Sequence, residues 1–143
     1  MPKAFQLEFD FRVPSKDPLT PTEAARALGI SNDEIHNLIY EGKLAAVDIS
    51  SDSATIPEYR IPLKNFVRHL NREHGQELAW HFPAADPLHV HQVARTLSCS
   101  VQHVRNQINL GEFPNATRIG KYFRIPLIDL VRYVNRKQEG AAV

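Results

Sequence analysis

The sequence predicts a mainly α fold with small β hairpins (α+β), in which one unit of about 65 residues is written twice. Three observations carry this. Asp17-Pro18-Leu19 returns as Asp86-Pro87-Leu88, and the same shift aligns Ala25 with Ala94, Arg26 with Arg95, Leu28 with Leu97, Ser31 with Ser100, Asn37 with Asn106 and Gly42 with Gly111. After a deletion in the second copy, Arg60-Ile61-Pro62-Leu63 matches Arg124-Ile125-Pro126-Leu127 and Asn71-Arg72 matches Asn135-Arg136. Finally, paired helix-start signals precede a hairpin pattern and an amphipathic helix in each copy. The copies divide the chain into residues 1–75 and 76–143.

Each element has a local cause. Phe5, Leu7, Phe9, Phe11 and Val13 alternate with polar residues, the period of a half-buried strand. The repeat brings Leu78, Trp80 and Phe82 onto Phe9, Phe11 and Val13, so a strand is expected to lead each copy. Thr20-Pro21-Thr22-Glu23 combines an N-cap, a proline at the first helical position and a glutamate that closes a capping box. Ala24, Ala25 and Leu28 face inward, and Gly29 stops the helix with a left-handed residue. Ser31-Asn32-Asp33-Glu34 is a second capping box, opening a helix striped by Ile35, Leu38 and Ile39 that Gly42 ends. In the second copy His89 and Gln92 replace the first box, Ser98 replaces the turn glycine, and Cys99 reads as a small core residue.

A hairpin follows each helix pair. Residues 44–49 return as Tyr59-Arg60-Ile61 around a long tip, and residues 113–119 return as Tyr122-Phe123-Arg124-Ile125 around a tight Gly120-Lys121 turn. Leu63, Phe66, Val67 and Leu70, and likewise Leu127, Leu130, Val131 and Val134, then give the stripe of a closing helix. His69 and Glu73, four apart, read as a surface pair. The last residues, from Gly140, are expected to fray.

Two short helices joined by a glycine turn form a helix-turn-helix, and the hairpin adds a wing. The run from Leu19 to Ser31, then Ile35, Ile39, Gly42-Lys43-Leu44-Ala45-Ala46 and Tyr59-Arg60-Ile61, resembles the excisionase and MerR-like family of small DNA-binding domains. The second copy resembles it through Val93-Ala94, Leu97, Ser100, Val104, Gly111, Phe113-Pro114 and residues 118–126. The resemblance implies tandem winged helix-turn-helix units that bind double-stranded DNA, the second helix in the major groove and the wing near the backbone or minor groove. It further implies a transcription regulator or a recombination directionality factor. No effector-binding region accompanies the two copies, which sets the chain apart from ligand-sensing members.

The side chains that would meet DNA follow from the helix period. With Val104 and Ile108 inward, Gln102, Arg105, Asn106 and Asn109 point outward, with Val101 and His103 near the helix start. Arginine pairs bidentately with guanine, and asparagine or glutamine with adenine. Ser100 caps the helix beside an anion-attracting N-terminus. Arg118, Lys121 and Arg124 offer charge to phosphates, and Tyr122 packs along the sugar-phosphate chain. The first copy presents Asn32, His36, Asn37, Tyr40 and Lys43 instead, a weaker set. From Leu19 to Leu63, three cations face seven anions, a net of −4; from Leu88 to Leu127, five cations face one anion, a net of +4. Phosphate neutralisation dominates non-specific affinity. The expected division gives the second copy most of the DNA contact and leaves the first a weaker contact or a protein-interaction surface.

Other functions find little support. No glycine-rich phosphate loop, nucleophile motif or carboxylate pair points to an enzyme, and no cofactor is implied. His81, His89, His91 and Cys99 lack the paired spacing of a metal site. No apolar run approaches the roughly 20 residues of a membrane span, and no secretory signal is visible. The single cysteine fits a cytoplasmic setting. Two copies in one chain permit an internal pseudo-dimer, with the oligomeric state left open. An adaptor that binds protein through degenerate winged units is the alternative reading.

Overall fold

The computed structural model describes residues 12–78 and 80–141. In chain order these form α1 (Pro21–Leu28), α2 (Asn32–Tyr40), β1 (Val47–Asp48), β2 (Tyr59–Arg60), α3 (Leu63–His74), β3 (Leu88–His89), α4 (Val90–Leu97), α5 (Val101–Asn109), β4 (Thr117–Ile119), β5 (Tyr122–Ile125) and α6 (Leu127–Ala141), with a short 3-10 turn at Gly75–Glu77. The protein is therefore mainly α with small antiparallel wings. Helix pair, wing and closing helix recur in the same order, as the repeat requires.

The helix starts obey their caps. Thr20 Oγ1 accepts from Glu23 N at 3.2 Å while Glu23 Oε1 accepts from Thr20 N at 2.8 Å. Ser31 and Glu34 exchange the same two bonds at 3.1 and 3.0 Å. These bonds satisfy free amides that a helix start otherwise leaves to solvent. Gly29 ends α1 at φ 71, ψ 32. Its counterpart Ser98 ends α4 at φ 54, ψ 47, a left-handed conformation that its Cβ disfavours. Of the box expected at α4, Gln92 Oε1 accepts from His89 N at 2.8 Å.

The core is mostly aliphatic, with Phe66 and Phe113 among its largest side chains, and spans both copies. Leu19, Ile35, Ile61 and Leu63 in the first, and Leu88, Val104, Ile125, Leu127, Leu130 and Val131 in the second, are fully enclosed. The predicted stripes of both closing helices are buried at every position. Asp17 Oδ1 accepts from Leu63 N at 2.9 Å, and Asp86 Oδ1 accepts from Leu127 N at 3.0 Å, so each Asp-Pro-Leu segment fixes the start of its closing helix.

Four expectations need amendment. Among the described residues, Leu78 to Phe82 form no strand, and neither do residues 12 and 13; the remainder of the first predicted strand lies outside the described residues. The segment that joins the wing comes later. Leu88 pairs with Ile125 and His89 with Arg124 to give the sheet order β3-β5-β4, while Leu19 bridges Ile61 in the first copy. Phe82 is still buried in the apolar core, and its carbonyl accepts from a side-chain amide rather than from a ladder partner. His69 is buried and does not pair with Glu73: its Nδ1–H donates to the Lys43 carbonyl at 3.1 Å, and Glu73 lies 3.5 Å from Arg72 Nε. The closing helix α6 runs through Gly140 to Ala141, into the tail expected to fray, whose last two residues lie outside the described residues.

The two copies touch through equivalent parts. Helices α3 and α6 pack on each other. Asn71 Nδ2 donates to the Phe82 carbonyl at 2.9 Å, and Asn135 Nδ2 donates to the Val13 carbonyl at 3.2 Å and to Ser15 Oγ at 2.8 Å. No helix among the described residues is long and apolar enough to cross a membrane.

Candidate nucleic-acid interface

Helix α5 starts at Ser100, whose Oγ accepts from His103 N at 3.0 Å. Val104 is its buried anchor, so the period turns Gln102, His103, Arg105, Asn106 and Asn109 to solvent, as expected, with Val101 and Ile108 half-buried. Gln102 Nε2 donates to Asn106 Oδ1 at 3.1 Å, which holds two exposed side-chain amides in one row.

The wing beside it is a tight hairpin. Arg118 pairs with Phe123 and Ile119 with Tyr122, leaving Gly120 and Lys121 as the two-residue loop. Gly120 takes φ 64, where the twist of a short hairpin demands a positive angle. Below the wing, buried Asp129 accepts from Asn115 N at 2.7 Å and from Asn115 Nδ2 at 2.8 Å, fixing the chain as it rises from α5. The wing cations are arranged around aromatic rings. Lys121 Nζ lies 5.7 Å and Arg124 Cζ 6.0 Å from the Tyr122 ring centre, and Arg118 Cζ lies 5.6 Å from that of Phe123. Tyr122 is 58% exposed, so its ring presents an aromatic face flanked by positive charge.

Helix and wing meet in a shallow cleft of about 60 Å³, lined by His89, Val90, His91, Arg105, Lys121, Tyr122, Phe123 and Arg124. Among the described residues, Arg105, Arg118, Lys121 and Arg124 make no ion pair. The sequence reading did not include His89 and His91 in this group. The backbone pairing of His89 with Arg124 carries them there, and the position of β3 was the missing signal. A larger cleft of about 580 Å³ below Trp80 shares no residue with the basic one. Among the described residues no three His, Cys, Asp or Glu side chains gather to hold a metal. Cys99 is half-buried, and burial raises its thiol pKa, so it stays in the protonated form.

The first copy has the same skeleton and a different surface. Asn32, Asn37, Tyr40 and Lys43 are exposed and His36 is half-buried. His36 Nδ1–H donates to the Asn32 carbonyl at 2.7 Å, and its ring joins Tyr40 and Tyr59 with centroid separations of 6.3 to 6.5 Å. Two of its cations are paired from within: Lys43 Nζ lies 3.3 Å from Glu41, and Arg60 Nη2 lies 2.8 Å from Glu58. Glu58 occupies the position of Tyr122, so the carboxylate beside Arg60 is replaced in the second copy by an aromatic ring beside Arg124. The longer tip is folded by Asp48, whose Oδ1 accepts from Ser50 N, Ser50 Oγ and Glu58 N, bonds that lower its carboxyl pKa.

Residues 18–74 match the family model of a helix-turn-helix domain. This stretch carries a helix-turn-helix domain, and α1, the Gly29 turn and α2 supply it. The match covers the less basic copy, whereas the cationic wing and the cleft beside it lie on the other. No curated protein and no solved structure matches the chain.

Proposed function

We propose that the chain is a non-enzymatic, sequence-specific DNA-binding protein built from two tandem winged helix-turn-helix units, residues 1–75 and 76–143, and that it serves transcription control or excisionase-like recombination. The second unit makes the principal contact. Arg105, Asn106, Gln102 and Asn109 read base edges in the major groove, and Arg118, Lys121, Tyr122 and Arg124 hold the backbone. The observation that carries this reading is the cleft in which Arg105, Lys121 and Arg124 stand together without a carboxylate partner among the described residues. The helix-turn-helix match supports DNA binding as the general activity. The internal ion pairs of the first unit support a lesser contact there.

Selection of bound duplexes from a random pool tests the proposal. The chain should enrich one motif containing a guanine, and Arg105→Ala should lose discrimination at that base, by about 5- to 150-fold for a bidentate pair of 1–3 kcal/mol. Failure to enrich any sequence would overturn it.

A further inference from the structure

The geometry points to a DNA target made of two unequal half-sites in inverted order, read by α2 and α5 of one chain acting as a built-in dimer. This rests on the DNA-binding reading above and adds the symmetry of the site. The contacts between copies have the signature of a two-fold interface, in which patch i meets patch j in both directions. Asn71 of the first copy bonds the carbonyl of Phe82 in the second. Asn135, the counterpart of Asn71, bonds the carbonyl of Val13, the counterpart of Phe82. The equivalent helices α3 and α6 also pack on each other. A head-to-tail stacking of repeats would use one member of each such pair and leave its counterpart facing away.

Units related by a two-fold axis present their second helices in opposite senses. On one duplex such units read inverted half-sites, centred about one helical turn or roughly 34 Å apart. The site is unequal because the reading residues differ at equivalent positions: Asp33 for Gln102, His36 for Arg105, Tyr40 for Asn109 and Glu58 for Tyr122.

Making the copies alike converts the inference into a sequence readout. In the full chain, Asp33→Gln, His36→Arg, Tyr40→Asn and Glu58→Tyr give the first copy the second copy's residues at these outward positions. Glu34 is kept because it closes the Ser31 box. The original and symmetrised chains then select from the same random duplex pool. The original should enrich a strong half-site with a weakly specified inverted flank, and the symmetrised chain a palindrome of that half-site, bound at least tenfold tighter than the half-site alone. A direct repeat or an isolated half-site would overturn the inference while leaving DNA binding intact. No enrichment by the original chain would remove both. Should the symmetrised chain lose its helical circular dichroism, a hydroxyl-radical footprint of the original decides. Two patches related by a dyad support the inference, and protection of one half alone overturns it.

Discussion

The salt dependence of DNA binding separates the two copies by a number. Arg118, Lys121 and Arg124 are the wing cations without a carboxylate partner among the described residues. If each neutralises one phosphate, the logarithm of the affinity falls with the logarithm of salt with a slope of about −2.7, at roughly 0.9 per phosphate. Raising salt from about 50 to about 200 mM then costs about 40-fold in affinity. Lys121→Ala removes one contact, so the slope becomes about −1.8 and the same change costs about 12-fold. Arg105→Ala behaves differently, because a base-edge contact contributes affinity and sequence choice without a phosphate. It should lower affinity at every salt concentration and leave the slope in place.

The control lies in the first copy. Lys43 is held by Glu41 and Arg60 by Glu58, so Lys43→Ala should leave the slope nearly unchanged. Fluorescence anisotropy with a labelled selected duplex, titrated at several salt concentrations, measures all of these. Equal changes in slope from Lys43→Ala and Lys121→Ala would refute the division of labour, and a wild-type slope near zero would refute phosphate binding by the wing.

Three further outcomes concern stability. Glu23 has its pKa lowered to about 2, first by Lys16 and then by the Thr20 amide and hydroxyl, so the stability it confers is complete above about 4.5 and is lost as pH falls toward about 2. Glu23→Gln should flatten acid unfolding in that window, measured by circular dichroism. Burial lowers the His69 pKa below 6.5, against the opposing bond to the Lys43 carbonyl, so the neutral ring favours the fold above 6.5 and stability declines as pH falls below it. His69→Gln should remove that decline, and an unchanged pH profile of denaturant unfolding would contradict the assignment. Ser98→Gly relieves a left-handed cost of roughly 1–2 kcal/mol while adding roughly 0.5–1 kcal/mol of unfolded-chain entropy. A gain of roughly 0.5 kcal/mol and a Tm rise of about 1–2 °C should follow in calorimetry.

Much of the fold was legible because its signals are local. Thr20, Ser31 and Gly29 act within one helical turn, and both closing helices announce their buried faces by spacing alone. The leading strand of the second copy was misread for a reason that local pattern cannot reveal. Phe82 is buried as its alternation implies, yet its carbonyl is satisfied by Asn71 from the other copy, so no ladder forms. The strand that does pair the second wing is only two residues long, too short to show a period. His69 was misplaced because its spacing from Glu73 imitates a surface pair. Its counterpart Tyr133 is buried and stacked on Phe113 at 4.9 Å, and that apolar partner in the repeat was the clue to an inward histidine. At the candidate interface the outward face of α5 followed from the position of Val104. The meeting of Arg105 with His89, His91 and the wing depends on tertiary pairing, and sequence spacing does not contain it.

Comparison of the copies shows where the chain tolerates change. Positions that hold the skeleton keep both residue and bond: Asp17 and Asp86 on the closing-helix amides, Asn71 and Asn135 across the copies, Arg72 and Arg136 on the carbonyls of Lys43 and Glu112. Losing a partly buried partner of this kind costs about 1–3 kcal/mol, a large share of the stability of a small protein. The outward positions bear no such constraint, and there the copies differ in charge and in hydrogen-bonding type. On the proposed reading, units joined through Asn71 and Asn135 and diversified at their outward positions would read two different half-sites without a second chain. A homodimer applies one reading surface twice; on the proposed reading, a basic unit would supply affinity and an acidic one would add selectivity at little non-specific cost.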